Sequence, residues 1–124
     1  MDDNQYLLFG STGSNYGKVD GVCVEETPLN PSTLYGITKT EAENLVMNRK
    51  NSCSYRFATA FGLSHRLRMD LLINDLAYKA ITDGCLVIYQ SPAMRTFIHV
   101  RDIAKSFLFA IENQDKMSGE VYNC

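Results

Sequence analysis

No apolar run in this 124-residue chain comes near the roughly 20 residues that a membrane-spanning helix requires. No segment gathers lysine and arginine. The balance of 12 basic against 14 acidic side chains leaves a net charge of −2, too small to funnel a polyanion. Neither a membrane nor nucleic acid is therefore an expected partner. The N-terminal Met1-Asp2-Asp3-Asn4-Gln5 is acidic and lacks the basic stretch and apolar core of a secretory signal, so a soluble chain with a cytoplasmic address is expected. The four cysteines, Cys23, Cys53, Cys85 and Cys124, lie 30 to 39 residues apart, with no Cys-x-x-Cys pair and no histidine beside any of them. A zinc site needs closer ligands, so no metal is expected and the thiols read as separate and free.

What the chain does hold is enough apolar material, 45% of its residues, for one compact core. Tyr6-Leu7-Leu8-Phe9, closed by Gly10, reads as a buried strand feeding the turn-rich stretch Ser11 to Gly17. Ser32 predicts the N-cap of a helix running from Thr33 to about Arg49. Cys53 to Phe57 alternates and is rich in aromatics, which predicts a second strand. Between Met69 and Asp83 apolar side chains fall at 69, 72, 73, 76, 77 and 80, a helical pattern, and Gly84 stands where a left-handed C-terminal cap belongs. Cys85 to Tyr89 predicts a third strand and Thr96 to His99 a short fourth. Val100, Ile103, Ala104, Phe107, Leu108 and Ile111 mark another amphipathic helix, and Val121 to Cys124 reads as a last strand.

Strands and helices alternate throughout, which argues for an α/β fold with a largely parallel sheet. Parallel strands are normally flanked by neighbours and covered on both faces. A chain that opens in one buried strand and stops in another leaves edges to be covered, so a portion of a larger fold is expected.

Tyr35 and Lys39 stand four apart near the start of the first helix, which puts both side chains on one face. An ammonium beside a phenol stabilises the phenolate, so such a pair suits proton transfer at a carbinol or ketone. By itself the spacing is common, and a solvated helix face explains it equally well. Its surroundings are more specific. Pro31-Ser32-Thr33-Leu34-Tyr35-Gly36-Ile37-Thr38-Lys39-Thr40-Glu41-Ala42-Glu43 resembles the catalytic helix of the extended short-chain dehydrogenase/reductases, the NAD-dependent epimerase/dehydratase family. Upstream, Leu7 to Gly17 is similar to the strand and loop that supply that family's catalytic Ser or Thr, four residues before a Tyr-Gly pair, which points to Thr12. Downstream, Tyr55 to Gly62 resembles the strand after the catalytic helix. Arg95 to Asp102 resembles the segment that leads into the last helix and bears a nucleotide-contacting arginine. Four motifs in family order cover nearly the whole chain.

The resemblance implies a partial Rossmann-like parallel sheet with flanking helices, plus part of a small C-terminal substrate subdomain. Residues 1–62 would form the C-terminal portion of a Rossmann-like domain with the catalytic helix, and residues 63–124 a substrate-binding portion with the last sheet elements. It implies a nucleotide-sugar epimerase-type enzyme, both oxidoreductase and isomerase in character, with NAD or NADP as cofactor. Thr12 would hydrogen-bond the reacting sugar oxygen, and Tyr35 would move its proton. Lys39 would hold the cofactor ribose and tune Tyr35, while Arg95 would pair with the diphosphate of a nucleotide-sugar. Plainer roles stay open: Thr12 as a turn residue bonded to its own backbone, and Arg95 as one half of a surface ion pair. His99 is expected to be structural, and Asn74 and Asp75 lie on a helix face that could equally be solvated.

Departures from the family pattern narrow these expectations. Thr59 stands where many members have Asn, and a hydroxyl cannot offer an amide's paired donor and acceptor, so a substrate contact there is open. Gly13-Ser14 follows Thr12 where dehydratases place Asp-Glu, which favours an epimerase or a reductase. No glycine-rich strand-turn-helix of the kind that cradles a pyrophosphate occurs in the sequence, so dinucleotide binding by this chain alone is not expected. The rival expectation is a non-catalytic remnant, or an interaction module that keeps a nucleotide-sugar pocket. An uncovered parallel edge near Leu7 to Phe9 predicts either a homo-oligomer or a complementary half, and the resemblance points to Thr33 to Arg49 as the contact.

Overall fold

The computed structural model describes residues 4–89, 92 and 94–124. Three parallel strands form its centre in the order β1 (Leu7–Thr12), β2 (Ser52–Phe57) and β5 (Val121–Asn123). Leu7 stands opposite Ser52 and Thr12 opposite Phe57, while Ser54 to Arg56 stand opposite Val121 to Asn123. β1 therefore does not close at Gly10, as the sequence suggested. It continues through Gly10, Ser11 and Thr12 because β2 offers each of them a ladder partner. The Phe57 ring packs over Gly10, where a Cβ would meet it at an ordinary contact distance of 3.7 Å.

β1 passes to β2 through α1 (Leu34–Met47), and α3 (Val100–Glu112) with the short α4 (Gln114–Met117) precedes β5. The two faces of the sheet differ in character. On one, Cys53 and Tyr55 form a buried cluster with Ala110 and Met117, flanked by Leu8, Phe57, Phe107 and Tyr122. The rings of Tyr55 and Phe57 stack at 5.5 Å, and Phe107 meets both edge-on at 5.8 and 5.5 Å, geometries that suit aromatic quadrupoles. Burial pushes the Tyr55 phenol up to about 12, and its hydroxyl donates to the Ser106 carbonyl at 2.8 Å. Ser11, Ser54 and Arg56 occupy the alternate positions, and α1 covers them with the buried Glu43. Both faces of β2 are thus buried although its sequence alternates polar and aromatic residues.

α1 is capped by Thr33, not by Ser32 as its sequence suggested. The Thr33 backbone is extended and its hydroxyl accepts from the Gly36 amide at 3.1 Å. That register places buried Gly36 where a Cβ would press to 3.0 Å on both the Pro31 side chain and the Ser14 carbonyl, so a larger residue would have to push the helix start a few tenths of an ångström from the β1 turn.

β3 (Thr59–Phe61) and β4 (Phe97–His99) pair in parallel as a separate small sheet. α2 (Leu72–Thr82) lies beyond it, with Gly84 in the left-handed conformation just past its end, and none of its residues is fully buried. The strand expected over Cys85 to Tyr89 does not form. Leu86, Val87, Ile88 and Tyr89 are all exposed, and none enters a ladder, without which an extended apolar run has no stabilising partner. Among the described residues no helix is long and apolar enough to cross a membrane.

Candidate active site

The carboxyl ends of β1, β2 and β5 point the same way, and in parallel α/β sheets ligands bind outside those ends. Thr12 is the last residue of β1. It is buried and extended, and it N-caps the 3-10 turn Gly13–Tyr16. Its hydroxyl accepts from the Ser14 amide at 3.2 Å and donates to the Ser14 hydroxyl at 3.3 Å. The local backbone bond weighed for Thr12 from the sequence is therefore present. It occupies one lone pair and the long bond to Ser14 Oγ engages the proton, which leaves the second lone pair.

Lys39 reaches the same strand end from α1. Its Nζ donates to the Gly10 carbonyl at 2.6 Å and lies 4.7 Å from the centre of the Phe9 ring, a cation-π distance. An ammonium has three donors, so two stay available after the Gly10 bond. Tyr35 lies one helical turn before Lys39 and is 55% exposed. Lys39 thus ties the α1 face that carries Tyr35 to β1 two residues before Thr12.

Thr59 begins β3 two residues past the end of β2. Its side chain is exposed, and its amide donates to the Thr96 carbonyl at 3.2 Å. That bond brings the exposed Arg95 beside the start of β3. Among the described residues the Arg95 guanidinium pairs with no carboxylate. His99 accepts from the Arg101 amide through Nδ1 at 3.2 Å, stacks edge-on against Phe61 at 5.2 Å and caps α3, a structural use of its ring. Asn74 accepts from the Gly62 amide at 3.1 Å and donates to the Arg68 carbonyl at 2.9 Å, while Asp75 pairs with Lys79 at 2.9 Å. Both side chains tie local structure.

Four residues to which the sequence motifs give no chemical role, Arg56, Glu43, Asn15 and Tyr16, form a buried network with the turn after Thr12. Arg56 forks onto Glu43, with Nη2 at 2.8 Å and Nε at 3.1 Å from Oε1. Burial disfavours the Arg56 charge, but hydrogen bonds with Glu43 and Tyr16 outweigh it and raise the guanidinium's pKa. Asn15 and Tyr16, both buried, project from the 3-10 turn into this pair. Glu43 stands four residues past Lys39 and Arg56 alternates with Tyr55 and Phe57, but neither position differs in the sequence from an ordinary surface charge.

A family model described as the NAD dependent epimerase/dehydratase family matches residues 2–124. A protein of Bacillus subtilis (strain 168) described as an uncharacterized UDP-glucose epimerase, YtcB, is 30% identical, with 96% of this chain and 39% of that protein covered. Among solved structures, MoeE5 in complex with UDP-glucose and NAD is 30% identical with a TM-score of 0.78, covering 94% of this chain and 41% of that one. UDP-glucuronic acid 4-epimerase from Bacillus cereus, in complex with UDP-glucuronic acid and NAD, is 27% identical with a TM-score of 0.78, covering 94% and 38%. The chain thus spans about two fifths of the length of these relatives.

Proposed function

The chain belongs to the NAD dependent epimerase/dehydratase family, and from that premise we propose that it carries the proton-transfer side of a nucleotide-sugar epimerase-type enzyme. The observation that supports this most directly is the Lys39 bond to the Gly10 carbonyl, which ties the Tyr35-Lys39 face of α1 to the strand that ends in Thr12. In this reading the Thr12 hydroxyl gives up its long bond to the Ser14 hydroxyl and donates to the reacting sugar oxygen instead. Tyr35, open to solvent, takes or returns the proton on that oxygen. The remaining donors of Lys39 hold a ribose hydroxyl and keep positive charge beside the phenol. Arg95, free of any carboxylate among the described residues, offers its planar fork to a diphosphate.

The residues present fit one side of NAD only. Tyr35 and Lys39 suit its nicotinamide ribose. Gly10 lies within β1 and Gly13 opens a 3-10 turn and not an α-helix, so neither fits a pyrophosphate. Bound NAD would supply the hydride acceptor and donor for a sugar carbon. Residues 1–62 belong in this proposal to the Rossmann-like portion, and much of 63–124 to the substrate side.

Calorimetric titration with UDP-glucose and UDP-glucuronic acid, with NAD present and absent, tests the reading. We expect a nucleotide-sugar to bind and Arg95→Ala to weaken it about tenfold, the loss of one charge-assisted contact. A chain that binds neither sugar under either condition, or an Arg95→Ala variant that binds as the parent does, would overturn it.

A further inference from the structure

The turn that follows Thr12 is held by side chains from three directions, and all of them end on one buried ion pair. On the carboxylate side, Glu43 Oε2 accepts from Ser54 Oγ at 3.0 Å and from Asn15 Nδ2 at 3.5 Å, and the same Asn15 amide donates to Ser11 Oγ at 2.9 Å. On the guanidinium side, Arg56 Nη1 donates to the Tyr16 hydroxyl at 2.8 Å and to the Glu25 carbonyl at 2.9 Å. The Tyr16 hydroxyl in turn donates to Asn123 Oδ1 at 2.7 Å, and the guanidinium lies 5.0 Å from the centre of the Tyr16 ring. The pair therefore joins β1 and its turn, α1, β2 and the end of β5.

A buried ion pair is a weak source of net stability, since well-packed apolar side chains of similar volume often do as well or better. What it adds is direction. The guanidinium donors and the two carboxylate oxygens take partners along few lines, so a network that bonds both ions favours a single arrangement, even with the buried Asn15 Oδ1 unpartnered among the described residues. The opposite face of the sheet already supplies an apolar cluster. The polar face instead links the two elements that must keep register, because Glu43 lies on α1 one turn past Lys39 and Asn15 and Tyr16 lie on the turn that Thr12 caps.

We propose that Glu43 and Arg56 are positioning residues that set the Thr12 turn against the Tyr35-Lys39 face of α1. This rests on the reading of Thr12, Tyr35 and Lys39 as one catalytic set. Neither Glu43 nor Arg56 touches the substrate in this scheme. They act through Asn15 and Tyr16.

Site-resolved amide exchange of the 124-residue chain, followed by NMR, tests this in Arg56→Lys and Tyr16→Phe. Lysine keeps the charge but cannot hold Glu43 and Tyr16 together, and phenylalanine removes one hydroxyl only. In both we expect exchange at Ser14, Gly17 and Asn30 to quicken at least about tenfold relative to Ser54, roughly the loss of one hydrogen bond expressed locally. Phe107→Leu, which loosens the apolar face, should change turn and strand amides by a common factor. If turn and strand amides in Tyr16→Phe also shift by a common factor, the pair is only a brace for the fold and the proposal fails, even where Arg56→Lys does not fold. Exchange uses neither nucleotide-sugar nor cofactor. A failed titration would thus remove the catalytic reading without touching this result, and uniform exchange would leave the catalytic reading standing.

Discussion

Glu43 of α1 and Arg56 of β2 meet at 2.8 Å with side chains 2% and 7% exposed, the innermost charges on the polar face of the sheet. Removing one partner strands the other. We expect Glu43→Gln to destabilise the chain by about 3–5 kcal/mol, because the Arg56 charge stays buried without its counter-ion. Urea denaturation monitored by circular dichroism measures this, and a loss below about 1 kcal/mol, the range of exposed pairs, would show that water reaches the site.

Gly17 closes the turn after Thr12 at φ +71°, and a Cβ there would fall on the Asn30 carbonyl. Asn30 is tied back to the turn through its amide, which donates to the Asn15 carbonyl at 3.0 Å. Gly17→Ala should therefore cost more than about 1 kcal/mol and displace the 17–30 crossing. A melting temperature equal to that of the parent would contradict it.

Tyr35 separates chemistry from stability. Its side chain is more than half exposed, so Tyr35→Phe should alter unfolding free energy by no more than about 0.5 kcal/mol. In an enzyme that contains this chain, the same change should lower nucleotide-sugar turnover by at least about 100-fold, the usual scale of a general acid or base. Turnover within a few-fold of the parent would assign the proton transfer elsewhere.

The apolar face should respond to alkali. Burial pushes the Tyr55 phenol from 10.0 up to about 12, and Tyr6 and Tyr122 are raised for the same cause. A raised phenol binds its proton more tightly folded than unfolded, so its contribution is fully present below about pH 10 and fades as pH climbs toward 12. Urea midpoints at pH 8, 10 and 11 should fall in that order, and Tyr55→Phe should flatten the fall.

Glu25 supplies the opposite sign. The Asn123 amide donates to its carboxylate at 2.7 Å and holds the group below its usual 4.5. Its contribution is therefore present above that value and is lost as pH drops through the lower, folded one. Melting between pH 6 and pH 3 should show a loss that Glu25→Gln reduces.

By itself the sequence determined the local facts. Hydrophobic period marked α2 and α3, with Gly84 closing α2, the short runs at β1, β2, β4 and β5 declared themselves through apolar and aromatic enrichment, and four ordered motifs named the family. These signals are legible because they act within a few residues of one another. Local pattern misread what depends on distant partners. β1 runs past Gly10 because β2 lies beside it, α1 starts at Leu34 because Thr33 caps it on the Gly36 amide, and Cys85 to Tyr89 stays out of the sheets because no described strand pairs with it. Only the tertiary structure decided that Glu43 and Arg56, ordinary charges in the sequence, would be buried together behind Thr12. The physical reason is that the cost of burying a charge depends on whether an opposite charge and a full set of donors converge on it, and that convergence is a property of the packed elements alone.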